Sequence, residues 1–164
     1  MDILSTLGMA AALAATPATD VAAIETRVEA VAVLVDLNGF DRLEALFADE
    51  LVVDYSSLFG GEAETLAASE LMARWAGLVP GFDRTRHVIS DIEVELAGDT
   101  ADASAAVTAT HWLNGETWIV SGRYHYRLER IDSDWRISAM TLETTGEEGD
   151  RGLTEVAAAR LNGE

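Results

Sequence analysis

At 164 residues the chain has room for one domain with a substantial buried core. Its formal net charge of −18 repels phosphate backbones and anionic lipid, which excludes nucleic acid and membrane surfaces as main partners. The absence of cysteine excludes a disulfide framework, a thiolate nucleophile and a Cys-ligated zinc, and the absence of lysine excludes Schiff-base chemistry.

The N-terminal Ile3–Ala15 run is rich in Ala and Leu, and Ala12-Leu13-Ala14 has the small-residue form of a signal-peptidase site. Met1-Asp2 is acidic where a secretory signal carries positive charge, so an arm or short helix over residues 1–18 and a cytoplasmic location are expected. A single domain over residues 19–164 should follow. Thr16-Pro17-Ala18-Thr19-Asp20 is a break with helix-start chemistry, Thr19 or Asp20 serving as cap. The helix should run from Val21 to Leu37, with Ile24, Val28, Val31 and Val35 on one stripe. Beyond Glu29 it is apolar nearly all round, which predicts a buried helix and makes Asp36 conspicuous. Asn38-Gly39 ends it, Phe40–Ala48 reads as a short second helix, and Leu51–Ser56 as a strand. Ser57–Thr65, with Gly60-Gly61, is expected to be a loop. Ser69 should then cap a third helix presenting Leu71, Met72, Trp75 and Leu78, closed by Pro80-Gly81.

From Arg84 to Thr145 the chain reads as four long strands: Thr85–Leu96, Thr100–Leu113, Thr117–Ile131 and Trp135–Thr145. Asn114-Gly115 between the second and third is a strong hairpin signal. Long antiparallel strands twist, so this meander should curl into a trough filled by the helices. Trp118, Val120, Gly122, Tyr124, Tyr126 and Leu128 share one face of the third strand, and Ala103, Ala105, Val107, Ala109, His111 and Leu113 one face of the second. On the first strand the parity of His87 and Ile89 differs from that of Ile92, Val94 and Leu96, which predicts a bulge near Ser90-Asp91. His87 and His111 then face the same end of the sheet, His125 points outward, and Asp150–Leu161 forms a terminal helix.

This element order, with several short motifs, resembles the cone-shaped α+β fold of the NTF2-like superfamily, and within it the SnoaL-like branch that includes scytalone dehydratase. Asp36 stands four residues before Phe40-Asp41-Arg42-Leu43, Asp54-Tyr55-Ser56-Ser57 is similar to the family's Asp-Tyr-x-Ser, and Arg84-Thr85-Arg86-His87 to the segment with its first histidine. His111 falls where the second histidine does, and Ile131-Asp132-x-x-Trp135 matches the last hairpin. The expected fold is therefore α+β, a curved antiparallel (mixed) sheet wrapped around N-terminal helices. The resemblance departs at Val35, where scytalone dehydratase has a second tyrosine, and at Gly122 and Tyr124, where polar residues stand.

The resemblance implies a cofactor-free dehydratase, isomerase or cyclase acting on a hydrophobic, cyclic, carbonyl-bearing substrate, in a protein that forms dimers or trimers. Asp36, Tyr55, His87 and His111 would be its catalytic set: Asp36 backing His111 as the general base, His87 holding the water or leaving hydroxyl, and Tyr55 polarising the carbonyl. Val35, Phe59, Trp75, Trp118, Tyr124 and Met140 would line the substrate pocket, although on residue type alone the aromatic ones are core. Two histidines and a carboxylate are also the ligands of a facial-triad metal site, but no metal-motif spacing accompanies them, and no metal or cofactor is expected. A non-catalytic ligand-binding or protein-interaction module is the third reading.

Overall fold

The computed structural model describes residues 15–163, so the arm expected over residues 1–18 lies mostly outside the described residues. Helix α1 (Pro17–Asp36) is followed by α2 (Phe40–Glu44), β1 (Phe47–Asp54), α3 (Ser56–Phe59), β2 (Glu64–Ala67) and α4 (Ala68–Ala76). A 3₁₀ turn (Val79–Gly81) leads into β3 (Arg84–Ala97), β4 (Thr100–Leu113), β5 (Glu116–Ile131) and β6 (Asp134–Gly149), and α5 (Leu153–Leu161) ends the chain. The strands form one curved sheet in the order β2-β1-β6-β5-β4-β3, antiparallel throughout except for the parallel pair β1–β6. The α+β fold expected from the sequence is the fold observed. Among the described residues no helix is long and apolar enough to cross a membrane.

The hairpins form where turn chemistry permits a left-handed backbone. Asn114 and Gly115 have φ of 54° and 83°, the pattern that matches the right-handed twist of a two-residue hairpin. Asp132 and Ser133 repeat it between β5 and β6, at 50° and 68°. The bulge in β3 lies where alternating parity breaks: the β3–β4 register shifts between Ser90 and Glu93, and Asp91 has φ 49°. It lets His87 and the later Ile92, Val94 and Leu96 serve the same sheet.

Helix α1 lies against β3 and buries Ile24, Val28, Val31 and Val35. Its last turns are less enclosed than their composition predicts: Val33 and Leu37 are exposed, because the sheet covers one side of the helix only. The cap is Thr16, whose hydroxyl accepts the Thr19 N–H, rather than Thr19 or Asp20. Asp20 instead accepts hydrogen bonds from the Trp135 indole at 3.0 Å and from Arg130 at 2.8 Å, tying the start of α1 to the β5–β6 hairpin.

Three further expectations are corrected. The second helix stops at Glu44, and Phe47-Ala48 open β1, since Phe47 pairs with Ile137 of β6. The segment read as a loop contains α3 and the start of β2, which pairs with β1. Helix α4 begins at Ala68 with Ala67 at its N-cap and no side-chain cap, so Ser69 does not play that role.

Candidate active site

The site is assembled from the end of α1 and the inner faces of β3, β4 and β5. Asp36 is the last residue of α1 and sits against the start of β3. Its carboxylate accepts three hydrogen bonds: from the Thr85 hydroxyl at 2.9 Å, the His87 backbone N–H at 2.8 Å and His87 Nδ1 at 2.7 Å. Burial by itself would raise this carboxyl; the bonds and charge of His87, with Thr85, outweigh it and hold the pKa below the ordinary value. Asp36 is therefore an acceptor, which places the His87 proton on Nδ1 and leaves Nε2 as the free ring nitrogen.

This geometry corrects the expected pairing, because Asp36 backs His87 and not His111. His111 lies on β4, between Thr85 of β3 and Trp118 of β5 in the ladder. Its Nδ1 donates to the Trp118 carbonyl at 3.1 Å, which again leaves Nε2 free as an acceptor. The imidazole is packed between Phe82 and Trp118, with ring centroids 4.9 and 4.6 Å away. Burial, and then the neighbouring His87, push its pKa down to about 4, only partly opposed by the Trp118 carbonyl and Asp36. His111 is accordingly a neutral imidazole at physiological pH. The two histidine rings meet edge to face, 5.8 Å apart with an interplanar angle of 86°.

Both imidazoles open onto one cavity of about 210 Å³ between the helices and the sheet. Ala103, Ala105 and Ala109 face inward along β4, opposite Tyr126, Tyr124 and Val120 of β5, and Ala109 is the small residue among them that lines the cavity. Val35, Tyr55, Phe59, Trp75, Trp118, Tyr124 and Met140 all line the cavity, while Asp36 stands behind His87 and does not. Tyr55 precedes α3 and rests on Phe59, with ring centroids 6.4 Å apart. Asp54 starts that helix by accepting the Ser56 N–H at 2.8 Å, which explains the Asp-Tyr-Ser order locally. His125 is on the outer face, bonded to Glu143 at 2.8 Å.

Sequence reasoning missed three contributors. Tyr126 lines the cavity, and its parity with Tyr124 was the available signal. Thr85, two residues before His87, steadies Asp36. Arg74 reaches the cavity from α4 but is held by Glu64 and Glu70, each at 2.8 Å. Among the described residues no group of three histidine or acidic side chains is arranged to hold a metal ion. The two Nδ1 atoms are already committed, one to Asp36 and one to a backbone carbonyl.

A family model described as a SnoaL-like domain matches residues 16–141, which spans α1 through the first half of β6. The chain belongs to the SnoaL-like family. Among solved structures, this SnoaL-like protein is similar to the Kfla4162 protein from Kribbella flavida, with 28% identity over 87% of this chain and 99% of the other, and a TM-score of 0.79. A protein from Novosphingobium aromaticivorans provisionally named scytalone dehydratase has 23% identity, covers 82% of this chain and 89% of its own, and gives a TM-score of 0.71. The hexachlorocyclohexane dehydrochlorinase LinA-type3 from Novosphingobium barchaimii has 17% identity, covers 82% and 92%, and gives 0.67. At those last two identities the likeness shows the shared fold. A comparison with curated protein sequences found no match.

Proposed function

We propose that this SnoaL-like protein is a lyase or isomerase that works by general acid–base catalysis, without a cofactor, on a hydrophobic cyclic substrate bearing a carbonyl. The observation that carries the reading is the Asp36–His87 pair, with the free Nε2 of His87 at the wall of an apolar cavity. A carboxylate behind an imidazole fixes the tautomer and stabilises the imidazolium that forms when Nε2 takes a proton. His111 is ill suited to that step, because an imidazole titrating near 4 is a weak proton acceptor at neutral pH. Its free Nε2 is suited to accept a hydrogen bond from a hydroxyl or water.

In a dehydration, His87 Nε2 would take the proton next to the carbonyl, and the C–H electron pair would move toward the carbonyl oxygen, held by Tyr55. The pair would return to form the C=C bond as the β C–O bond breaks. The hydroxide leaving from near His111 would take the proton from His87 and depart as water. In an isomerisation the same proton would return to a different carbon. The names dehydratase and dehydrochlorinase borne by two structural relatives denote eliminations, reactions in which a base removes a proton from the carbon next to the one that loses the leaving group.

The test is deuterium exchange at the α-carbons of 2-tetralone in D₂O, followed by proton NMR. The expected result is exchange faster than buffer with the wild-type protein, lost in His87→Ala. Saturable binding of 2-tetralone with no accelerated exchange would mean a binding module and would remove the catalytic reading.

A further inference from the structure

The chain contains three tyrosines, and all of them line the one cavity onto which the imidazoles open. They come from separate places. Tyr124 and Tyr126 project from the inner face of β5, with ring centroids 5.5 Å apart, and Tyr126 is only 3% exposed. Tyr55 follows β1, whose Asp54 pairs with Thr141 of β6, while Tyr124 pairs with the next β6 residue, Leu142. The parallel β1–β6 pair thus delivers Tyr55 to the level of Tyr124. Phenols carried into an apolar interior need an acceptor, since a buried donor left without one costs about 1–3 kcal/mol. Tyr124 acts on both Tyr55 and Tyr126, and burial keeps all three phenols protonated at neutral pH.

The cavity therefore has two chemically opposite walls. On one side, His87 and His111 present free Nε2 atoms that accept protons or hydrogen bonds. On the other, three phenols offer hydrogen bonds, and Tyr124 acts on both of the others. Among the described residues Arg74 is the one arginine on the lining, and two carboxylates already neutralise it. We propose that Tyr124 and Tyr126, together with Tyr55, form a donor subsite that binds the oxygen of an uncharged cyclic ketone with its acidic C–H turned toward the imidazoles. A haloalkane would leave the three donors unanswered, and a carboxylate would find no free cation on this lining. The proposal rests on the proton-transfer reading for the substrate's orientation, while its claim about the oxygen stands on the tyrosines alone.

The experiment compares 2-tetralone, tetralin (the same bicycle without the oxygen) and tetralin-2-carboxylate, with binding read from quenching of tryptophan fluorescence, since Trp75 and Trp118 line the cavity. Wild-type protein should bind the ketone about 30-fold more tightly than tetralin, as expected for two net hydrogen-bond gains of roughly 1 kcal/mol each at an oxygen with two lone pairs. Tyr124→Phe and Tyr126→Phe should each shrink that preference, taken as the ketone-to-tetralin ratio within one variant, about fivefold. Thermal unfolding checks each variant, and Tyr124→Phe carries the test if Tyr126→Phe does not fold. Equal affinity for ketone and hydrocarbon, an undiminished preference in the Phe variants, tighter binding of the carboxylate, or no binding of any of the three would each overturn the subsite. If instead the ketone preference holds and depends on the tyrosines but deuterium exchange is absent, the subsite stands and the catalytic reading falls.

Discussion

Asp36 grips His87 twice, through the ring at 2.7 Å and through the backbone N–H at 2.8 Å. One carboxylate thereby fixes the imidazole's tautomer, its side-chain torsions and the strand that carries it. Asparagine at position 36 has nearly the same shape but no charge to stabilise an imidazolium. Asp36→Asn should slow deuterium exchange into 2-tetralone by about 10²–10⁴-fold, with the far-UV circular dichroism spectrum unchanged. Exchange close to the wild-type rate would show that the carboxylate is structural only.

His111 links acid stability to the site. Burial, then the neighbouring His87, hold its folded pKa at about 4, against 6.5 in an unfolded chain. As pH falls below 6.5 the unfolded state takes up the proton first, so stability present above that value is lost on acidification toward 4. The loss from this one group is about 3 kcal/mol across the window. Urea unfolding on either side of it should show His111→Asn losing less stability than the wild-type protein by about that amount. Parallel losses in the two proteins would contradict the assignment.

Gly122 lies at a register shift in β5, where an added Cβ would stand 2.3 Å from the Glu143 carbonyl oxygen. A backbone oxygen in a sheet cannot rotate aside. Gly122→Ala should cost about 1–3 kcal/mol in urea unfolding. Gly146→Ala is the control, since its nearest neighbour would be the Ser121 Cβ at 3.9 Å; it should stay within about 0.5 kcal/mol.

Phe59 combines a place on the cavity lining with 52% exposure, so it sits at the mouth. Gly60 and Gly61 follow it with φ of 75° and 84°. Phe59→Ala should speed both association and dissociation of 2-tetralone in stopped-flow fluorescence, and change stability by no more than about 0.5 kcal/mol. Unaltered rates would place the way in elsewhere.

The sheet was legible because its signals are local. Asn114-Gly115 set a hairpin, alternation set the inner faces of β4 and β5, and the broken parity of β3 located the bulge before Glu93. What escaped was decided by distant contacts. Leu46-Phe47-Ala48 fits a helix as well as a strand until Phe47 finds Ile137, ninety positions later in the chain. The site shows the same division: parity puts Tyr124 on the inner face of β5, while Val35 and Phe59 are expected on the pocket only through the family resemblance, and all three line the cavity. The choice of Asp36 between two imidazoles depends on how α1 slides along β3, which no spacing in the sequence encodes.

Helix α1 carries its two aspartates near opposite ends, Asp20 bound to Trp135 and Arg130, Asp36 to His87. Sixteen residues of helix separate them by about 24 Å at 1.5 Å per residue. A rod pinned at its far end can neither creep lengthwise nor roll. The reach of the Asp36 carboxylate is thus inherited from an anchor on the opposite side of the molecule, and loosening Asp20 would detune chemistry it never touches.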